Sequence, residues 1–295
     1  MVKFRKPTQR SGDLVDRRGS PGRRGGLAIG AGGGGIAIIV AILFAVLGGG
    51  GGGGGLEDII GQLQAPTQGS DEAPLDPAAD PDADMADFMS VVLDDNQDMW
   101  EEIFANSGRQ YRRAQLVLFR ASTESGCGGA IDQYGPHYCP PDERIYIDLD
   151  FFDLMRDQLG AEGDFAPAYV LSHEIAHHVQ NVLGLSDEVR RLQQASPDQA
   201  NDLSVRLELQ ADCYAGVWSS TVFVGQLETG ENIALDPGEV SEALRAAEVV
   251  GDDYIRPGSN PDTFTHGTSE QRQSWFQRGY DTGDPASCDT FSGNI

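Results

Sequence analysis

Lysine is almost missing from this chain: Lys3 and Lys6 are its only two. A domain without lysine cannot run P-loop phosphate binding or Schiff-base catalysis. No G-x-S-x-G element occurs, so the serine-hydrolase nucleophile elbow is excluded as well. None of the four cysteines forms a C-x-x-C pair, which removes zinc ribbons and thioredoxin-type redox sites. Positive charge is also scarce past residue 47, where 13 Arg face 44 acidic residues in a chain of formal net charge −25. That surface repels phosphate backbones, and nucleic acid is not expected as a partner.

The basic residues that do occur are concentrated at the start. Residues 1–26 are polar and basic and read as a cytoplasmic tail, with Arg17, Arg18, Arg23 and Arg24 near its end. Residues 27–47 carry no charged or polar side chain. As a helix they would span about 31 Å, the thickness of a bilayer core, so they read as one transmembrane helix. A cleaved signal peptide is the other reading of the 36–47 run, but glycines follow it instead of an A-x-A-like site. Basic flanks stay in the cytoplasm, which predicts a single-pass protein with everything after residue 47 outside. Residues 48–85 read as a Gly-rich, acidic, disordered linker. The folded domain is expected over 86–291.

Cys127, Cys139, Cys213 and Cys288 all fall on the exported side, and their number is even. Two disulfides in an oxidising compartment follow. Three connectivities are open; the short loop favours Cys127–Cys139, leaving Cys213–Cys288 to tie the C-terminal tail to a helix. Within the domain, 85–108 has the periodicity of an amphipathic helix, with Phe88, Val91, Val92, Met99 and Ile103 on one face. Residues 114–121 and 144–149 read as strands, and the chain after Asp150 is largely helical. A small sheet followed by helices predicts an α+β fold.

The chemistry concentrates in the helical stretch 166–183, which contains H-E-x-x-H. His173 and His177 are four apart, on one helical face, so both imidazoles can reach one metal ion. Glu174 lies about 100° round the helix, placed as a general base for metal-activated water and not as a ligand. A third ligand is needed, and Glu208 is the best candidate, in the largely apolar helical stretch 206–218 where an unpaired carboxylate would be costly. Asp187 and Glu188 are rivals, but acidic residues at a helix start need no metal to explain them. Asp212, four residues after Glu208, could accept a hydrogen bond from a ligating imidazole. His178 points to the flank of the helix. His137, between two cysteines, has little claim on the site, and Tyr146 reads as a packed aromatic, with a place beside a bound peptide as the alternative.

H-E-x-x-H followed by E-L-Q-A-D at 208–212 resembles the gluzincin pattern, most nearly that of the membrane prenyl-protease and heat-shock protease group. Those proteins also carry H-P-x-x-x-x-R; here His266 is followed by Gly267, with Arg272 at the matching distance. The stretch 86–291 resembles the bacterial neutral zinc metallopeptidase family through GPHYCP (135–140), YIDLDFFD (146–153), the H-E-x-x-H helix, RLELQADCYAGVW (206–218) and THGTSEQRQSWFQRGY (265–280). The resemblance implies a zincin-like fold, one Zn²⁺ per chain and hydrolysis of a peptide or protein substrate. By that resemblance His266 could hydrogen-bond the developing oxyanion, or it could serve only as a cap or core residue; Arg272 could pair with a site carboxylate or with substrate, or be an ordinary exposed Arg on an amphipathic helix. A zinc hydrolase of cell-wall peptides and a non-catalytic metal-binding envelope protein are the rival expectations.

Overall fold

The computed structural model describes residues 2–18, 80–128, 135–224, 233–235 and 238–295. The expected transmembrane helix (27–47) and most of the expected linker lie outside the described residues. Among those described, no helix is long and apolar enough to cross a membrane.

The fold is a helix-rich α+β arrangement with two small sheets. Helix α1 (Ala83–Asn106) forms on the predicted periodicity and buries Phe88, Val92, Leu93, Trp100 and Phe104. Strands form over both stretches read as strands, β3 (Gln115–Phe119) and β5 (Arg144–Asp148), and they run parallel. The sheet gains an edge strand the sequence did not reveal, β4 (His137–Cys139), antiparallel to β5. Three residues are too few for a period-2 signal to emerge.

Residues 2–18, within the expected tail, contribute two short strands. Strand β2 (Leu14–Asp16) pairs in parallel with β3, giving the sheet order β2-β3-β5-β4. Strand β1 (Lys3–Phe4) pairs antiparallel with β7 (Ile233–Leu235), which also pairs with β6 (Phe223–Val224) in the second sheet. Arg10 binds Asp87 at 2.6 Å, and Arg113 binds Asp13 at 2.7 Å. The basic residues here answer acidic groups of the domain itself, and strands of two and three residues leave no periodicity to detect.

The remaining helices are α2 (Leu149–Leu159), α3 (Ala166–Val182), α4 (Leu185–Ala195), α5 (Ala200–Thr221), α6 (Glu239–Val249), α7 (Asp252–Ile255) and α8 (Ser269–Thr282). Every residue of α3 from Ala166 to Gln180 is buried, so this helix runs through the core. Asn96 on α1 donates to the Ser172 hydroxyl at 2.7 Å, one residue before His173. Helix α8 begins with a capping box, Thr268 and Gln271 each satisfying the other's backbone N–H.

Helices α5 and α8 approach so closely that only glycine fits between them. A Cβ at Gly279 would sit 1.9 Å from the Cys213 carbonyl oxygen, and one at Gly216 would sit 2.0 Å from that of Phe276. Gly279→Ala must therefore push the helices apart. Overpacking of this kind costs about 1–3 kcal/mol, and the expected result is a melting temperature lower by several degrees. An unchanged melting temperature would show that the helices can separate freely.

Candidate metal centre

Gly184, at φ +79°, turns the chain after α3 into α4, and α5 then comes to lie against α3. The outcome places Glu208 opposite the two histidines. His173 Nε2 lies 3.1 Å from His177 Nε2 and 3.2 Å from Glu208 Oε2; His177 Nε2 lies 3.5 Å from Glu208 Oε1. A tetrahedral site with bonds of about 2.0–2.1 Å has donor–donor edges of about 3.3 Å. The observed spacings lie near that figure, those to Glu208 running to its two different carboxylate oxygens, and all three side chains are buried. A metal with imidazole and carboxylate preferences, such as zinc, matches the donor set. Asp187 and Glu188, the sequence rivals, lie at the start of α4 and are not in this group.

Each group is oriented from behind. Asp212, fully buried, accepts from His173 Nδ1 at 2.9 Å, leaving Nε2 toward the cluster. The same carboxylate accepts from Tyr169 Oη at 2.6 Å and takes two bonds from Arg272, Nε at 2.8 Å and Nη2 at 2.9 Å. Burial alone would raise the Asp212 carboxyl, but Arg272 and His173 outweigh it and hold it at about 2. Glu208 behaves alike: burial opposes ionisation, yet His177 and His173 keep its carboxyl well below the ordinary range. Burial would lower His173, but the Asp212 and Glu208 carboxylates overcome it and lift the imidazole to about 10. The acidic groups around the imidazoles thus attract positive charge, from a proton or from a metal cation.

Glu174 is 4% exposed, and its Oε2 has no hydrogen-bond partner among the described residues. A carboxylate oxygen buried in that state is costly unless something outside the chain binds it. Glu174 shares a small cleft of about 60 Å³ with His173, Glu208, His266, Pro136, Tyr169 and Arg272. The cleft admits water beside both the donor cluster and the free oxygen.

His266 lines that cleft on a loop clamped by Asp252, whose Oδ2 accepts from the backbone N–H of Thr265, His266 and Gly267 at 2.8, 2.7 and 3.2 Å. Gly267 has φ +90°. Proline, locked near −65°, cannot take that conformation, which accounts for glycine at this step of the pattern. His178 is a core residue, bonded to Tyr138 Oη at 3.0 Å and to the Arg112 carbonyl, and burial lowers its imidazole. His137 stacks on Tyr146 at 5.2 Å and is not in the metal-binding group; the Tyr146 hydroxyl donates to Asp142 at 2.6 Å. Both expected disulfides are present, Cys127–Cys139 and Cys213–Cys288.

Sequence reasoning missed Tyr169, Asp252 and Gln180. Tyr169 and Gln180 carry a usable signal, at i−4 from His173 and i+3 from His177 on the same helical face. Asp252 lies 14 residues from His266 in a separate short helix, and no spacing rule connects them.

Three buried donors close to one another, with a carboxylate oxygen beside them that has no partner among the described residues, define a candidate metal centre. The chain belongs to the family described as "Putative neutral zinc metallopeptidase", whose profile matches residues 3–291. It is similar to "Uncharacterized protein YpfJ" of Escherichia coli, 48% identical over 215 residues that cover 71% of this chain and 72% of that protein. It is also similar to an uncharacterized protein of Mycobacterium tuberculosis, 45% identical over 190 residues, 62% of this chain and 64% of that one. No solved structure matches.

Proposed function

We propose that this chain is a zinc-dependent peptidase. The observation that supports it most is the pairing of the buried His173–His177–Glu208 cluster with Glu174 Oε2, which has no hydrogen-bond partner among the described residues. His173, His177 and Glu208 would hold one zinc ion, which when bound activates water and polarises a carbonyl. Glu174 takes the proton of the attacking water and delivers it to the leaving amine. Asp212, clamped by Arg272 and Tyr169, keeps the His173 ring in the tautomer whose Nε2 can donate its lone pair. His266, fixed through Asp252, lines the same cleft, where it can donate to the oxyanion of the tetrahedral adduct.

We place the domain outside the cytoplasm, a reading supported by the two disulfides. The apolar composition of residues 27–47 supports attachment to a membrane. The test is a preparation of the purified protein assayed for metal content and for cleavage of an unstructured protein and of cell-wall peptides. One zinc per chain is expected, with cleavage of the unstructured protein that stops on chelation and returns with zinc. Retention of no metal would overturn the reading; cleavage of cell-wall peptides alone would move the substrate class.

A further inference from the structure

The two imidazoles are held by different means. His173 leans on a charged carboxylate, whereas His177 Nδ1 faces the side-chain oxygen of Gln180 at 2.9 Å. Gln180 is fully buried, and its Nε2 donates to the Leu207 carbonyl at 2.8 Å and to Gln210 Oε1 at 3.1 Å. Gln210 in turn donates to the Cys288 carbonyl at 3.1 Å, and Cys288 is bridged to Cys213, three residues after Gln210 on α5. The direction of this chain is fixed at both ends. Backbone carbonyls can only accept, so each amide must turn its NH₂ toward them and its oxygen back toward His177. Gln180 Oε1 then can only accept, Nδ1 must carry the proton, and Nε2 keeps the lone pair that a metal needs.

We propose that Gln180 and Gln210 are positioning residues for His177, and that the Cys213–Cys288 bridge anchors them by holding the Cys288 carbonyl in place. Zinc affinity then depends on a disulfide that touches no ligand. This rests on the metal reading above. The experiment measures the zinc dissociation constant of the full chain by competition with a chromophoric chelator. Gln180→Met, Gln210→Met and the pair Cys213→Ala/Cys288→Ala should each weaken binding about 10–100-fold, the range for lost outer-shell partners. Because they sever one chain, Gln210→Met combined with the cysteine pair should lose much less than the two losses multiplied. Cys127→Ala/Cys139→Ala, which breaks the other bridge, should leave the constant unchanged. A Gln180→Met protein that binds zinc like the parent overturns the relay alone; a parent that binds none overturns the metal reading and the relay with it. Independent, multiplying losses would reduce the bridge to a general structural support and overturn its anchoring role.

A separate observation carries a second inference. Strand β2 forms one edge of the β2-β3-β5-β4 sheet, and the Arg17 backbone N–H donates to the Leu118 carbonyl at 2.8 Å. The Arg18 guanidinium, its side chain 2% exposed, binds the Asp80 carboxylate at 2.8 Å. Residues 18 and 80 therefore meet at one ion pair. A chain that crossed a bilayer once between them would leave β2 unpaired and part Asp80 from Arg18, which would keep only Asp16. A second crossing needs another run of about 20 apolar residues, and the sequence from 48 to 79 is Gly-rich and acidic. We infer that residues 2–18 and the metal site lie on the same side of any membrane, which revises the expected cytoplasmic tail. The test is protease digestion of intact spheroplasts expressing the full chain with different tags at its two ends. Tags that respond alike support the inference; digestion of one tag with protection of the other overturns it.

Discussion

Glu174→Gln is expected to lower the rate of peptide cleavage roughly a thousandfold while leaving zinc content unchanged, within the range for loss of a general base. The amide keeps the size of the side chain and can still fill the position next to the cleft. It cannot take a proton. Glu174 is outside the group of three metal donors, so its replacement removes no ligand. Glu208→Ala separates the two roles, because it deletes a donor 3.2 Å from His173 Nε2 and should lose both metal and activity. Metal analysis alongside kcat on the two variants is the check. Parental kcat in Glu174→Gln would remove Glu174 as the base, and full zinc retention in Glu208→Ala would remove Glu208 as a ligand.

The candidate metal donors were legible because a helix converts spacing into geometry. His173 and His177 share a face by arithmetic alone, and Glu208 stood out as a carboxylate among apolar neighbours. Their outer support was legible only in part. Asp212 follows Glu208 by one turn and was readable; Arg272 was suggested only by resemblance, and its contact with Asp212 depends on how closely α8 settles on α5. That closeness in turn depends on Gly216 and Gly279, two small residues whose meaning appears only when the facing backbone is known. Tertiary pairing of very short strands was invisible for the same reason. Arg17 and Arg18 read as part of a membrane flank, and a one-dimensional pattern cannot show that they also bond Thr123 and Asp80.

The buried ion pair behind the site should be the most sensitive point for stability. Arg272 and Asp212 are 3% and 0% exposed and share two hydrogen bonds. Arg272→Met is close in volume but leaves the Asp212 charge without its main partner, a change that costs about 3–5 kcal/mol when the charge stays buried. The pH dependence has a definite sign. In the parent, Asp212 is held at about 2, below its unfolded value, so its contribution is present above pH ~4 and is lost as pH falls toward 2. Without Arg272, burial dominates and the carboxyl titrates higher. The variant can then shed its penalty by taking up a proton, and the gap from the parent should shrink as pH drops from 7 to 4. Denaturant unfolding of the zinc-free proteins at both pH values measures this. Adding Asp212→Asn to Arg272→Met should restore part of the stability at pH 7, since neither charge then remains. A single variant within about 1 kcal/mol of the parent at pH 7, below the usual cost of a broken buried pair, would mean that Tyr169 and His173 satisfy Asp212 unaided. Arg272 would then be dispensable to the fold.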